Sequence, residues 1–173
     1  MRVGIGHDTH RLIEGRPLVL GGVTVPHNRG LAAHSDGDVV LHAVADALLG
    51  AAALGDIGEL FPDSDLRYYG IASAEIIRQV VTRVIAAGWR PVNVDVVVHA
   101  EQPKLGSHKQ AMRQRIGQLL GLDAAAVSVK AKTGEGVGPV GRAEAISCEA
   151  VVLIEEVIGL GGDTDLLMPS RRT

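Results

Sequence analysis

Apolar and polar residues follow periods along the chain that predict strands mixed with helices. Runs with a period of two fit four strands: 2–10, 93–101, 127–133 and 145–157. Runs with helical periodicity fit three helices: about 39–54, about 74–87 and 107 to about 120. Gly21-Gly22 between two β-prone runs predicts a hairpin, and 27–33 is interpreted as a loop. The pattern predicts an α+β fold: a two-layer sandwich in which a mixed sheet of about four main strands, with the small hairpin, packs on three helices.

Polar residues at the predicted helix starts indicate how each helix is capped. Either Asp36 or Asp38 is placed to accept the free N–H groups of the first helix. Ser73 is predicted to cap the second helix, and Ser107 with Gln110 fits a capping box for the third.

Length and composition predict a single domain with a full core, because the 173 residues are 46% hydrophobic. We assign the domain to 1–158 and expect 159–173 to be a mobile tail that the chemistry does not need. A net charge of −3 and 2% aromatic residues argue against a nucleic-acid surface. A single cysteine, Cys148, fits a reducing compartment and a core position. With no apolar run long enough to span a bilayer and no signal peptide, the expected location is cytoplasmic.

Three residues have the character of metal ligands. Asp8 and His10 lie two apart on the first predicted strand, so their side chains project from one face. His42 falls in the first turns of the first helix, and Asp46 at i+4 is predicted to hold one of its ring nitrogens. A lone Asp-x-His is a weak signal, and His42 alone would fit a core histidine. Together the three ligands leave a tetrahedral position open, which is typical of catalytic zinc, with manganese as the alternative.

A second group of residues suits phosphate. Lys104, Lys132 and Thr133 accompany a glycine-rich stretch at 134–141, whose N–H groups can surround phosphate oxygens. Gly4-x-Gly6 lacks the third glycine of a dinucleotide turn, so that interpretation is rejected. A metal beside a phosphate cradle predicts phosphoryl chemistry, and both a phosphohydrolase and a phosphoryl cyclase or transferase fit.

Several motifs carry a resemblance to a known family: Gly6-His7-Asp8-Thr9-His10-Arg11, His34-Ser35-Asp36-Gly37-Asp38 with His42, Gly55-Asp56-Ile57-Gly58, and 130–135 with Gly141-Arg142. Their order and spacing resemble those of the 2-C-methyl-D-erythritol 2,4-cyclodiphosphate synthases. The resemblance covers residues 1 to about 157.

The resemblance implies an enzyme of non-mevalonate isoprenoid biosynthesis, a phosphorus–oxygen lyase. The substrate would be 4-diphosphocytidyl-2-C-methyl-D-erythritol 2-phosphate. Its 2-phosphate attacks the β-phosphorus, which gives 2-C-methyl-D-erythritol 2,4-cyclodiphosphate and CMP. Members of the family are homotrimers with active sites between subunits, a zinc ion in each site, and a second divalent ion, magnesium or manganese, on the diphosphate.

The resemblance also assigns roles to positions of this sequence. The zinc ligands are Asp8, His10 and His42, and Asp8 and His10 also count as substrate contacts. His34 and Ser35 contact the phosphate and erythritol region, and His34 with Thr133 stabilises the transition state. The methylerythritol hydroxyls are held near Asp56, Gly58, Phe61, Asp63 and Asp65. Cytosine and the phosphates are held by Ala100, Lys104, Gly106, Lys132, Thr133 and Glu135, with Glu135 near the second metal ion.

Two positions depart from the family pattern. His7 stands where an aromatic residue is usual, and Pro139 stands where phenylalanine is frequent. The resemblance implies that both positions line the central cavity of a trimer, where some members of the family bind an isoprenoid diphosphate. Arg142 is retained there as an anion-binding residue, but the weaker apolar wall means that this ligand is not predicted.

Two other classes of function remain open at this point. A metal-dependent phosphohydrolase on the same scaffold would release orthophosphate or a linear product. A non-catalytic trimeric binding module would carry a structural zinc, although such sites normally have four protein ligands.

Overall fold

The computed structural model describes residues 1–62 and 64–157. Asp63, predicted as a substrate contact, and the predicted tail at 159–173 lie outside the described residues.

A mixed five-stranded sheet, in the order β4-β1-β7-β5-β6, forms one layer of the fold. Its strands are β1 Arg2–Glu14, β4 Arg29–Leu31, β5 Trp89–His99, β6 Val127–Lys132 and β7 Ala145–Glu156. β5 and β6 are parallel, and the other neighbours are antiparallel. The four long strands confirm the predicted mixed sheet. β4 was missed because its three residues lie in the stretch 27–33 that was interpreted as a loop, where too few residues alternate to reveal a strand.

The predicted hairpin is confirmed as β2 Leu18–Leu20 and β3 Val23–Val25. Gly21 and Gly22 form its turn with φ values of 60° and 73°. A two-residue turn of this kind needs positive φ at both positions, which glycine adopts without strain.

Helices form the second layer, and the three long ones are those that periodicity predicted. The helices are α1 Val39–Ala52, α2 Ile57–Leu60, α3 Ser73–Ala86, α4 Lys109–Leu120 and α5 Gly138–Gly141. α1 is buried on nearly every side, between β1 and β7 on the sheet and α3. Facing it, β7 buries Ile146, Cys148, Ala150, Val152 and Ile154 completely. Cys148 is therefore the core residue that the sequence predicted.

Asp38 is the predicted cap of α1, and it also fixes the hairpin against that helix. Its carboxylate accepts the N–H groups of Val40 and Leu41 at 3.1 Å, and those of Gly21 at 2.8 Å and Gly22 at 2.5 Å. Burial raises the pKa of Asp38, although these backbone donors oppose the shift. One carboxylate thus sets the position at which the helix that carries His42 begins.

The other two predicted caps are wrong. Ser73 is already the first residue of α3, after Ala72 at the cap position, and its hydroxyl donates to Asp36. α4 begins after His108, which takes the cap position that Ser107 was expected to hold. Sequence spacing places a polar residue near a helix start, but tertiary contacts decide which group its side chain meets.

Gly4 and Gly6 let α1 approach β1 more closely than any side chain would allow. A Cβ at Gly4 would lie 1.9 Å from the carbonyl oxygen of Ala47, and one at Gly6 would lie 2.0 Å from that of Ala43. Both oxygens belong to helix backbone, so the helix itself would have to move. The glycines that suggested a nucleotide turn therefore serve helix–sheet packing.

We expect Gly6→Ala to lower the free energy of unfolding by about 3 kcal/mol or more, because the added methyl overlaps backbone that cannot rotate away. Urea unfolding followed by circular dichroism measures the change. Gly50→Ala is the matched control: Gly50 lies in α1, the helix that Gly6 packs against, and the nearest atom to its added Cβ is 3.9 Å away. That control should change stability by less than about 1 kcal/mol, in the stabilising direction. Equal stability of the two variants would contradict the close packing.

Candidate metal centre and active-site cavity

Asp8, His10 and His42 bring three ligand atoms together at one end of the sheet. Asp8 Oδ2 lies 2.9 Å from both His10 Nε2 and His42 Nδ1, and the two nitrogens are 3.1 Å apart. Asp8 and His10 share a face of β1, and α1 delivers His42 above them. The predicted set of candidate ligands therefore converges as expected.

The chemistry of the three atoms fits a divalent cation. Two imidazole nitrogens and a carboxylate oxygen are ligands that zinc accepts, and tetrahedral bonds of about 2.0–2.1 Å would set ligand atoms about 3.3 Å apart. The observed triangle has sides of 2.9, 2.9 and 3.1 Å, slightly smaller than that. Residues 1–62 and 64–157 bring three such ligand atoms together, so a tetrahedral ion held here would have a fourth position for water or substrate.

Mutual interactions shift the pKa values of this group. Burial alone would raise the pKa of Asp8, but the hydrogen bonds and charges of His10 and His42 hold it well below its usual range. Burial likewise lowers the pKa of His42, yet the hydrogen bond and charge of Asp8 outweigh it and the pKa is raised. A cation that binds here therefore competes with a proton on His42 and meets an Asp8 carboxylate that is already ionised.

The partner predicted for His42 is wrong. Asp46 accepts the backbone N–H of Ile57 at 2.8 Å and so ties α1 to the start of α2. The second ring nitrogen of His42, Nε2, instead lies 3.1 Å from Ser35 Oγ and 2.9 Å from Ser73 Oγ. An i+4 spacing places two residues on one helix face, but it does not say that their side chains meet.

A cavity of about 600 Å³ opens in front of the three ligands. Most of the predicted metal and methylerythritol residues line it: Asp8, His10, His34, Ser35, His42, Gly58, Phe61 and Asp65. Asp56 stands beside it as the cap of α2, where its carboxylate accepts the N–H of Glu59 at 2.9 Å. The structure thus brings together one half of the predicted site.

Sequence reasoning missed two features of this cavity. Tyr68, Ile71 and Ile76 supply much of its apolar wall, and a run of turn residues before them concealed their role. Arg16 donates to the carbonyl oxygens of Ala33, at 2.7 Å, and Ser35. It thereby holds the backbone that presents His34, and no local motif in the sequence marks it.

The predicted nucleotide and phosphate contacts lie elsewhere in the described chain: Ala100, Lys104, Gly106, Lys132, Thr133 and Glu135. Glu101 organises them, because it pairs with Lys104 at 3.8 Å and accepts the N–H of Gly134 at 3.1 Å. The hydroxyl of Thr133 donates to the carboxylate of Glu135, and the N–H of Ala100 donates to the backbone carbonyl oxygen of Lys132. We call this set, 100–106 with 132–135, the phosphate cluster.

Strand register fixes the distance between the two groups. Thr9 on β1 pairs with Ser147, Ser147 with His99, and His99 with Lys132. The phosphate cluster therefore begins at the same end of the sheet as the metal ligands but three strands away, roughly 14 Å. The two halves of the predicted site do not meet within one chain, as far as residues 1–62 and 64–157 show.

Arg142 also lies apart from the cavity. Its guanidinium pairs with Glu144, with Nε 2.8 Å from Oε1. On the sheet face away from the helices, His7 stands opposite Glu149 in the β1–β7 register, and Val3, Ile5 and Val151 are 66%, 72% and 43% exposed there. An apolar strip of this kind is typical of a surface that another chain covers.

None of the helices in the described ranges combines the length and the apolar character that crossing a bilayer requires.

Comparison with known proteins decides the family. The sequence model of the YgbB family matches residues 1–155. The chain belongs to the YgbB family. The match spans both the candidate metal ligands and the phosphate cluster.

Relatives within this family carry a common name. A protein of Chromobacterium violaceum named 2-C-methyl-D-erythritol 2,4-cyclodiphosphate synthase is 56% identical over 155 residues, which is 90% of this chain and 98% of that protein. The protein of the same name from Salinibacter ruber is 57% identical over 155 residues, with 90% and 99% covered. A solved structure of a 2C-methyl-D-erythritol-2,4-cyclodiphosphate synthase, described as a bound form with CDP, has a TM-score of 0.82 and 41% identity, covering 89% of this chain and all of that one. The resemblance seen in the sequence motifs is confirmed.

Proposed function

We propose that the protein is a phosphorus–oxygen lyase that converts 4-diphosphocytidyl-2-C-methyl-D-erythritol 2-phosphate to 2-C-methyl-D-erythritol 2,4-cyclodiphosphate and CMP. The names of its relatives give the product of this reaction, and we assign the activity to non-mevalonate isoprenoid biosynthesis. The observation that carries the proposal is the convergence of Asp8, His10 and His42 beside a cavity, in a chain that matches these synthases over almost their whole length.

The reaction needs little acid–base chemistry from the protein. A phosphate monoester has a second pKa near 6, so the 2-phosphate is already a dianion at neutral pH. One of its oxygens bonds to the β-phosphorus, the bond from the β-phosphorus to the bridging oxygen breaks, and CMP leaves with the electron pair. Both ends belong to one molecule, so the main task of the site is to fold the substrate into an in-line pose.

Residues of the cavity are assigned to that task. We assign the erythritol hydroxyls to the loop of Asp56 and Gly58, and the phosphate region to His34 and Ser35, which line the cavity. Asp8, His10 and His42 would hold zinc, or manganese in its place. When bound, such an ion polarises phosphoryl oxygens and offsets their charge. A second divalent ion, magnesium or manganese, is assigned to the diphosphate near Glu135.

The separation of the two halves supports a homotrimer with active sites between subunits. Lys132 and Thr133 lie roughly 14 Å along the sheet from the metal ligands, too far to touch the same phosphate. A neighbouring chain that covers the exposed strip at Val3, Ile5 and Val151 would bring its phosphate cluster to this cavity. Thr133 is then assigned to transition-state stabilisation from across the interface.

The proposed setting is the cytoplasm, with neither nucleic acid nor membrane as partner. The net charge of −3 and the single cysteine, which is buried as Cys148, support this assignment.

Phosphorus NMR of the reaction tests the function directly. With the cytidyl substrate, zinc and magnesium, we expect CMP and a cyclic diphosphate to appear in equal amounts. Release of orthophosphate without a cyclic product would replace the synthase with a phosphohydrolase. If the protein contains stoichiometric zinc and retains CMP but shows no turnover, the synthase assignment would give way to a binding module.

A further inference from the structure

Ser73 is buried completely and meets the metal centre from behind. Its Oγ lies 2.9 Å from His42 Nε2, the nitrogen on the far side of the ring from Asp8 and His10. The same oxygen donates to Asp36 Oδ1 at 2.5 Å, and the backbone N–H of Ser73 donates to Asp36 Oδ2 at 3.0 Å. A chain of contacts therefore runs from a carboxylate through a hydroxyl to a candidate metal ligand.

The direction of these hydrogen bonds follows from the groups involved. The hydroxyl of Ser73 donates to the carboxylate of Asp36, and a hydroxyl has one hydrogen, so that hydrogen is committed to Asp36. The lone pairs of Oγ then face His42, and Nε2 must donate to them. With the proton fixed on Nε2, Nδ1 is left with its lone pair directed at Asp8 and His10, as a metal ligand requires.

We propose that Ser73 is a positioning residue of the metal centre, which with Asp36 fixes the tautomer and ring orientation of His42 so that Nδ1 binds the metal. This inference rests on the metal site of the proposed function and holds for any reaction that the site catalyses. It also explains why Ser73 sits one residue past the cap position of α3: its hydroxyl serves His42 instead of the helix end.

The contacts of Ser35 do not fix the tautomer of His42. Its Oγ lies 3.1 Å from His42 Nε2 and accepts the N–H of Gly37 at 3.0 Å. Its own hydrogen is not committed by these two contacts, so Ser35 fits either direction of a bond to Nε2. Asp36, by contrast, is held in place by the N–H groups of Asp38, at 3.2 Å, and of Ser73.

Zinc affinity of the full chain, measured by competition with a chromophoric chelator, tests the proposal without using turnover. We expect Ser73→Ala to raise the zinc dissociation constant roughly 10- to 100-fold, the usual effect of removing the group that orients a ligating histidine. The visible spectrum of the cobalt-loaded variant should change with it. Thr82→Ala is the matched control. It removes a hydroxyl from the same helix, but one that donates to the carbonyl oxygen of Arg78, so the zinc affinity should be unchanged.

Further variants separate positioning from a structural role. Asp36→Asn can turn its amide toward Ser73 Oγ, which frees the hydroxyl hydrogen to point at Nε2 and favours the wrong tautomer. The zinc affinity of Asp36→Asn should therefore fall as much as that of Ser73→Ala. If Ser73→Ala fails to fold, Asp36→Asn tests the same proposal. Ser35→Ala should weaken zinc binding less than either.

The outcomes distinguish this inference from the proposed function. Zinc binding within twofold of wild type in Ser73→Ala and in Asp36→Asn, even with a lowered thermal unfolding midpoint, would make the contact structural and overturn the inference. An equal or larger loss in Ser35→Ala would transfer the role to Ser35. A wild-type chain that binds no zinc would remove the metal site itself, before any variant is compared.

Discussion

His42→Ala is expected to lose stoichiometric zinc and to reduce kcat/KM for formation of the cyclic diphosphate by about a thousandfold or more. His42 supplies one of the three candidate ligand atoms that the described part of the chain brings together, and its Nδ1 lies within 3.1 Å of both others. Without it, Asp8 and His10 leave half of a tetrahedral shell open, and the charge that offsets the phosphates is lost. A thousandfold decrease corresponds to ~4 kcal/mol of transition-state stabilisation.

Zinc content by atomic absorption and initial rates by phosphorus NMR measure the two losses on the same sample. His27→Ala is the matched control, since His27 lies in the turn between β3 and β4, and it should keep both zinc and turnover. Asp8→Asn keeps the shape of a ligand without its charge and should lose activity as His42→Ala does. Full turnover in zinc-free His42→Ala would contradict the assignment of these residues to a catalytic metal centre.

The convergence of the three candidate metal ligands could be predicted from the sequence because two simple periods determine it. Side chains two apart on a strand share a face, which unites Asp8 and His10, and an apolar run after Asp38 predicts the helix that carries His42. The same reasoning failed for Asp46 and Ser73. Whether a polar side chain bonds to its own element or to another depends on distances between elements, and sequence spacing contains no such distances.

Local sequence patterns also could not predict how the candidate metal ligands and the phosphate cluster are arranged relative to each other. Motifs at 8–10 and 130–135 predict a metal site and a phosphate site, but their separation follows from the strand order β1-β7-β5-β6. That order depends on how the last strand, β7, inserts between β1 and β5, which is a long-range pairing. Likewise, β4 is too short to be recognised without the neighbouring β1.

Mixing two inactive variants should restore about a quarter of wild-type activity. His42→Ala has an intact phosphate cluster, and the double variant Lys132→Ala, Thr133→Ala has an intact metal centre. If each active site takes its metal from one chain and its phosphate contacts from the next, random assembly from equal amounts gives a functional pair with a probability of one half times one half, about a quarter. Co-refolding of differently tagged chains, followed by the phosphorus NMR assay, measures the recovery.

The matched control mixes His42→Ala with Asp8→Asn, which damage the same half of the site. Every site assembled from those chains has a defective metal centre, so no recovery is expected. A site contained within one chain would give no recovery in either mixture, and that result would contradict the shared site and with it the roles of Lys132 and Thr133. Recovery of activity in the first mixture alone would mean that the two groups, roughly 14 Å apart along the sheet, form one active site across two chains. Only a second chain can bring a phosphate cluster to the candidate metal ligands.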